Sequence, residues 1–447
     1  MEKPSFLREL SLLDASLLVV GCIIGAGIFR TPSSIASHLH ASGLILLVWL
    51  FGGLFSLCGA LCYAELSASF PKTGGDYVFI TTAYGRLCGF LFGWTKLFIE
   101  RTGTVAVLGV VFADYLRFVF PFTEETVKSV ACFAIFGLTL ANIAGVKWGK
   151  WVQNIFTFLK VVTLLGIVRV GLFRWTSPVP PAVSFWPTSF NFSTLQSFGI
   201  GLIFVLWTYG GWTEAAYVAE EVKEPERNLP RAIVLGLLLT MGLYLAVNCI
   251  YLHFLPPQEM VGQKLVAASV VERMLGRGMG NLIALLVSSS AFGALNGYIL
   301  TGARILYALG KDHPLFARLA KLRPQFRTPT TALWFNAALA MMLVLTRSFD
   351  QILTYTTVAI WVFFGLAGFS LFILRWKYPK RQRPYKVWGY PAVPILFLAT
   401  TLFFILNACL RDPKESFFGL GLVALGLPLY GVSLRIKSPT ASERSGA

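Results

Sequence analysis

The chain has 447 residues, of which 56% are hydrophobic and 13% charged, and its mean hydropathy is +0.68. A soluble domain carries about 25% charged residues, so most of this surface must meet lipid rather than water. The formal net charge of +17 does not point to nucleic acid, because the basic residues fall in short loops between apolar runs, as orientation in a bilayer requires.

A spanning helix needs about 20 apolar residues. About twelve such segments can be marked, at 12–39, 44–70, 90–118, 127–143, 152–173, 195–219, 232–254, 281–309, 332–345, 352–376, 393–410 and 417–434. Lys3 and Arg8 precede the first run with no small-residue cleavage site, so a retained helix is expected rather than a removed signal. With the N-terminus inside, the inner loops collect Lys72 and Arg86, Lys147 and Lys150, Lys223, Arg227 and Arg231, and the dense run from Arg375 to Lys386. The outer loops hold fewer, among them Lys128, Arg174, Lys264 and Arg347. This asymmetry puts both termini in the cytoplasm of a multi-pass protein of the cell (inner) membrane, as an even helix number demands.

Between the spans, Pro71-Lys72-Thr73-Gly74-Gly75-Asp76-Tyr77 reads as a turn into an interfacial helix, and 256–280 as a short helix over the outer face. No polar tail marks a second domain, so residues 1–447 are expected to form a single domain. The seven cysteines (Cys22, Cys58, Cys62, Cys88, Cys132, Cys249 and Cys409) lack metal-ligand spacing and read as small buried residues. A membrane enzyme would want clustered ligands, yet His38, His40, His253 and His313 lie far apart, so no metal, cofactor or catalytic residue is expected. A channel would need repeated polar rings, which isolated intramembrane charges do not supply.

The first apolar segment contains Val20-Gly21-Cys22-Ile23-Ile24-Gly25-Ala26-Gly27-Ile28-Phe29. Each glycine costs roughly 1 kcal/mol relative to alanine inside a helix. In lipid a broken helix frees backbone groups that no water can satisfy, so a break survives only inside protein or beside a polar cavity. A second half-helix starting near Gly27 would aim free N–H groups at that cavity, a place for a carboxylate. Glycines at this spacing also suit a close helix contact.

A second break decides between these readings. The sixth segment holds Trp207-Thr208-Tyr209-Gly210-Gly211-Trp212-Thr213-Glu214, again with paired glycines. The first and sixth segments lead two five-helix sets, at 11–175 and 193–377, and an odd set length inverts the second. Interrupted helices at matching places in inverted halves point to a transporter's midplane binding site.

Further markers accompany the two breaks: Tyr63-Ala64-Glu65-Leu66, Glu220-Glu221-Val222-Lys223-Glu224-Pro225-Glu226-Arg227-Asn228-Leu229-Pro230, and Phe292-Gly293-Ala294-Leu295-Asn296-Gly297. In this order they resemble the amino acid–polyamine–organocation superfamily, and within it the L-type amino acid transporter family, over nearly the whole chain. The resemblance implies an all-α, LeuT-like fold of five plus five inverted helices, with helices 1 and 6 broken and two more at about 391–435. It implies a substrate carboxylate on the N–H groups of Gly25, Ala26 and Gly27, and an ammonium on carbonyls around Cys22, Ile23, Ile24 and Trp207. The substrate side chain would face Trp207, Thr208, Tyr209, Gly210 and Gly211, with Trp207 as a gate.

Lys160 lies mid-way along the fifth segment, where a lysine costs roughly 2.5–3.5 kcal/mol and so should face the protein interior. The resemblance places it where sodium-driven relatives hold sodium, bridging the first helix and Ser290. The implied function is sodium-independent transport of neutral L-amino acids, by exchange with alternating access. A proton-coupled symporter and a cationic amino acid or polyamine exchanger are the alternatives, and glycine at 210 argues against cations. Glu214 could relay protons, bind a cationic side chain, or pair with Lys96 or Arg101. Glu65 and Glu100 read as members of structural ion pairs. The segment 120–128 lacks the cysteine that joins animal relatives to a glycoprotein, so no disulfide-linked heavy chain is expected. The expected partners are amino acid substrates and the lipid bilayer, and the chain looks like a stand-alone bacterial-type carrier.

Overall fold

The computed structural model describes residues 6–175, 185–187, 189–276, 278–346, 349–411 and 413–436. Among them the chain is helical, with an isolated bridge between Leu10 and Val222. Ten of the described helices are long and apolar enough to cross a membrane, and Phe192–Thr208 and Thr330–Thr346 are shorter apolar helices. Together they account for the twelve segments marked in the sequence.

The first span is two helices, α1 (Leu12–Ile23) and α2 (Gly27–Ala36). Ser11 and Asp14 start α1 with a reciprocal capping box, each satisfying the other's free N–H. Then come α3 (Ser42–Ser69), α4 (Asp76–Tyr84), α5 (Arg86–Val119), α6 (Glu124–Ile143) and α7 (Val146–Phe173). The sixth span is α8 (Phe192–Thr208), an irregular stretch, and one turn, α9 (Glu214–Tyr217). Next are α10 (Pro225–Phe254), the short helix α11 (Val266–Leu275) and α12 (Met279–Asp312). The chain continues through α13 (Thr330–Thr346), α14 (Phe349–Lys377), α15 (Ala392–Arg411), α16 (Pro413–Ala424) and α17 (Gly426–Arg435).

The core forms where α1 packs on α7 and α10, α3 on α10, and α12 on α5 and α7. Bulky side chains such as Phe133, Phe158 and Phe173 project outward, as a lipid-facing surface demands. The helix expected within 256–280 is α11, which lies against α2. The turn at 71–77 is pinned from inside the molecule: Gly74 N–H donates to Tyr217 O at 3.1 Å and Tyr217 OH to Asp76 Oδ2 at 2.6 Å.

Two details depart from the sequence reading. The last span, expected as one helix over 417–434, is interrupted at Leu425. Pro428 has no N–H to offer Ala424 O, four residues back, and Trp94 Nε1 donates to Leu422 O, the carbonyl four residues before Gly426, at 2.9 Å. The third span contains a π-helical turn at Lys96–Glu100, which periodicity did not signal.

Buried ion pairs tie the spans together, and the acids expected to be structural are paired. Glu65 takes two bonds from Arg375, at 2.8 and 2.6 Å, and a third from Val387 N–H at 2.7 Å. Glu221 and Arg304, both fully buried, form a two-pronged pair at 2.7 and 3.1 Å. Stranding one buried partner is costly, whereas removing both is not. Glu221→Leu is therefore expected to destabilise the protein by roughly 3–5 kcal/mol, with Glu221→Leu/Arg304→Met regaining most of that loss. Thermal unfolding in detergent checks this; equal losses in both variants would show that the pair is not the cause.

Candidate functional site

The first break is a tight turn. Ile24 N–H still reaches Val20 O, but Gly25 N–H turns back to Ile23 O at 2.8 Å. Ile24 sits at φ −76° and ψ 82°, the inverse γ-turn region, and the helix resumes at Gly27. This frees carbonyls that side chains must satisfy. Lys160 Nζ donates to Gly21 O at 2.8 Å and to Ile24 O at 2.6 Å. Ser290 Oγ reaches Ile24 O at 3.1 Å and Gly25 O at 3.3 Å, and Tyr244 OH donates to Ile23 O at 3.0 Å. Lys160 and Ser290 thus meet on the Ile24 carbonyl, not on each other.

The second break lies against the first. Gly210 N–H closes on Trp207 O at 3.1 Å, and Glu214 N–H reaches Gly211 O at 3.2 Å. Gly211 has φ +114°, and a Cβ there would stand 2.8 Å from Cys22 C and 3.0 Å from Ile23 N. Only glycine permits both that torsion and that approach. Thr31 and Thr208 add a hydroxyl contact at 2.9 Å between α2 and α8.

A cavity of about 140 Å³ opens beside the junction. Cys22, Ile23, Gly25, Ala26, Gly27, Trp207, Thr208, Gly210 and Gly211 line it. Trp207, 41% exposed, forms part of the cavity wall. Two of the expected residues stand apart. Ile24 is fully buried and contributes its carbonyl to Lys160. Tyr209 corrects the sequence reading: its ring is buried against Trp49 and Tyr244, and its OH donates to Trp49 O at 3.3 Å. The turn at Tyr209 rotates this side chain away from the one presented by Trp207.

Of the roles open to Glu214, the structure forms the ion pair. Arg101 donates to its two oxygens at 3.1 and 3.2 Å, and the Thr301 hydroxyl joins them. Sequence reasoning missed the cavity's far wall, which includes Phe55, Trp361, Phe364 and Phe397, and assigned Lys96 and Glu100 only to pairing. Aromatic residues in apolar spans carry no sign of which way they face. Lys96 and Glu100 could have been found as an i,i+4 charge pair inside an apolar run.

Chemically the junction is two-faced. The start of α2 carries the positive end of a helix dipole, and the ends of α1 and α8 carry negative ends. A molecule with a carboxylate and an ammonium on one carbon matches that arrangement. Among the described residues no group of three His, Cys, Asp or Glu could hold a metal.

Residues 10–421 match the amino acid permease family. The serine/threonine exchanger SteT of Bacillus subtilis is 33% identical, over 95% of this chain and 96% of its own. The large neutral amino acids transporter small subunit 2 of Mus musculus is 32% identical, over 95% of this chain and 80% of its own. The b(0,+)-type amino acid transporter 1 of Mus musculus is 30% identical, over 96% and 88%.

The contact between the breaks predicts a contrast. Gly211→Ala must strain the torsion and push apart two backbones, a loss of roughly 1–3 kcal/mol. At Gly210 a Cβ meets only Trp207 O, at 3.1 Å, with no unusual torsion, so Gly210→Ala is expected to cost less. Melting temperatures of the two variants in detergent test the order; equal shifts would contradict the contact.

Proposed function

The chain belongs to the amino acid permease family, and from that premise we propose that it exchanges neutral L-amino acids across a membrane without sodium. It is a multi-pass membrane transporter and not an enzyme, as its family's members are carriers. The reading rests on one observation: the two unwound segments touch at Gly211 and Cys22, beside a cavity that both line.

In this mechanism the N–H groups of Ala26 and Gly27, at the start of α2, take the carboxylate. Gly25 N–H is already directed at Ile23 O and contributes less than the sequence suggested. Carbonyls at the ends of α1 and α8 take the ammonium, and the side chain extends past Trp207. Lys160 donates to Gly21 O and Ile24 O, so the break needs no metal ion to hold its shape. The name of SteT, an exchanger, and that of the large neutral amino acids transporter support both the mode and the substrate class. Exchange follows if the empty carrier returns slowly, because bound substrate stabilises the occluded state. The same reading takes 11–175 and 193–377 as inverted repeats within a single domain. It places the protein in the cell membrane with both ends cytoplasmic. The lack of cysteine in 120–128 supports a carrier that works without a disulfide-linked partner.

Counterflow in proteoliposomes tests this. Labelled alanine is expected to enter alanine-loaded vesicles at the same rate in sodium and in choline, and hardly at all into empty ones. A collapse in choline would remove Lys160 from the sodium-surrogate role, and accumulation driven by a pH gradient alone would assign proton symport. Trp207→Ala is expected to raise KM several-fold or flatten selectivity among neutral substrates. Unchanged kinetics would take Trp207 out of the site.

A further inference from the structure

The cavity has a charged end that the backbone handles do not explain. The π-helical turn at Lys96–Glu100 widens α5 and brings both end residues to the cavity wall. Turns of this kind are rare and concentrate at functional sites. Lys96 is 4% and Glu100 5% exposed, so both charges are withdrawn from bulk solvent yet bound the same space as Trp207 and Gly211.

Lys96 Nζ lies 3.0 Å from Glu100 Oε2, an oxygen closed off from the cavity. Arg101 Nε stands 3.7 Å from the same oxygen, while the arginine's terminal nitrogens are taken by Glu214. The rings of Phe92, Tyr217 and Phe364 surround Lys96 Nζ at 5.4, 5.5 and 5.8 Å, which holds the ammonium at the wall.

Resting on the exchange reading, we propose that Lys96 and Glu100 form the side-chain subsite of this cavity. It takes uncharged side chains that both donate and accept a hydrogen bond, namely carboxamides and hydroxyls. Such a side chain gives its N–H or O–H to Glu100 and accepts from Lys96. An aliphatic side chain of equal size covers both groups and leaves them unsatisfied. A cationic side chain meets Lys96 and an anionic one meets Glu100. The lining charges, with Arg101 paired behind Glu214, already sum to zero, so either would add an uncompensated buried charge.

Shape-matched pairs of amino acids test the subsite in sodium-free, alanine-loaded proteoliposomes. Threonine is expected to exceed valine, and asparagine to exceed leucine, by about tenfold or more in kcat/KM. In the Lys96→Met/Glu100→Leu double variant, which strands neither charge, both ratios are expected to fall toward one. Wild-type protein that takes valine and leucine as readily as their polar counterparts would overturn the proposal, as would a double variant that keeps both ratios. If the double variant does not fold, the wild-type ratios decide. Absence of counterflow with every amino acid, alanine included, would instead remove the exchange reading and the subsite with it.

Discussion

The constraint that organises this molecule is the backbone carbonyl in a place without water. A helix that unwinds at membrane depth exposes groups costing several kcal/mol each if left alone. Here the break after Ile23 is met by one ammonium, one hydroxyl and one phenol, from Lys160, Ser290 and Tyr244. These come from α7, α12 and α10, so the break is held by three helices that pack around it. Gly211 closes the arrangement by letting the second break sit directly on the first.

Charge elsewhere in the interior obeys the same rule of compensation. Arg101 with Glu214 and Arg304 with Glu221 each join α12 or α5 to the chain that follows the second break. Such pairs add little net stability over apolar replacements, but they penalise any arrangement that separates them. They therefore fix how the stretch after Gly211 docks against the bundle. The Lys96–Glu100 pair differs because both of its residues line the cavity.

Under the proposed exchange, these features divide the work. Peptide groups at helix ends recognise what every α-amino acid shares, and side chains along the cavity sort what differs. Lys160 keeps the peptide groups in place as a permanent part of the protein, so the site is formed before substrate arrives. Preformed donors and acceptors need no reorganisation on binding.

Much of this was legible in the sequence because lipid simplifies the code. Twelve apolar segments, the loop lysines and arginines, and two glycine clusters follow from hydropathy and helix propensity, which are local properties. The intramembrane Lys160 stood out because a charge there must have a partner. What the sequence could not decide was direction: which face of a uniformly apolar helix meets the cavity. Tyr209 looked like a pocket residue and is buried on Trp49, while Phe55, Trp361 and Phe397 carried no signal and line the wall. The π-turn that presents Lys96 and Glu100, and the choice of Arg101 as partner for Glu214, depend on packing between distant segments. Composition and order thus determined the helices, their breaks and the need for compensation. Only the tertiary structure decided which groups provide it, since that depends on which helix faces meet.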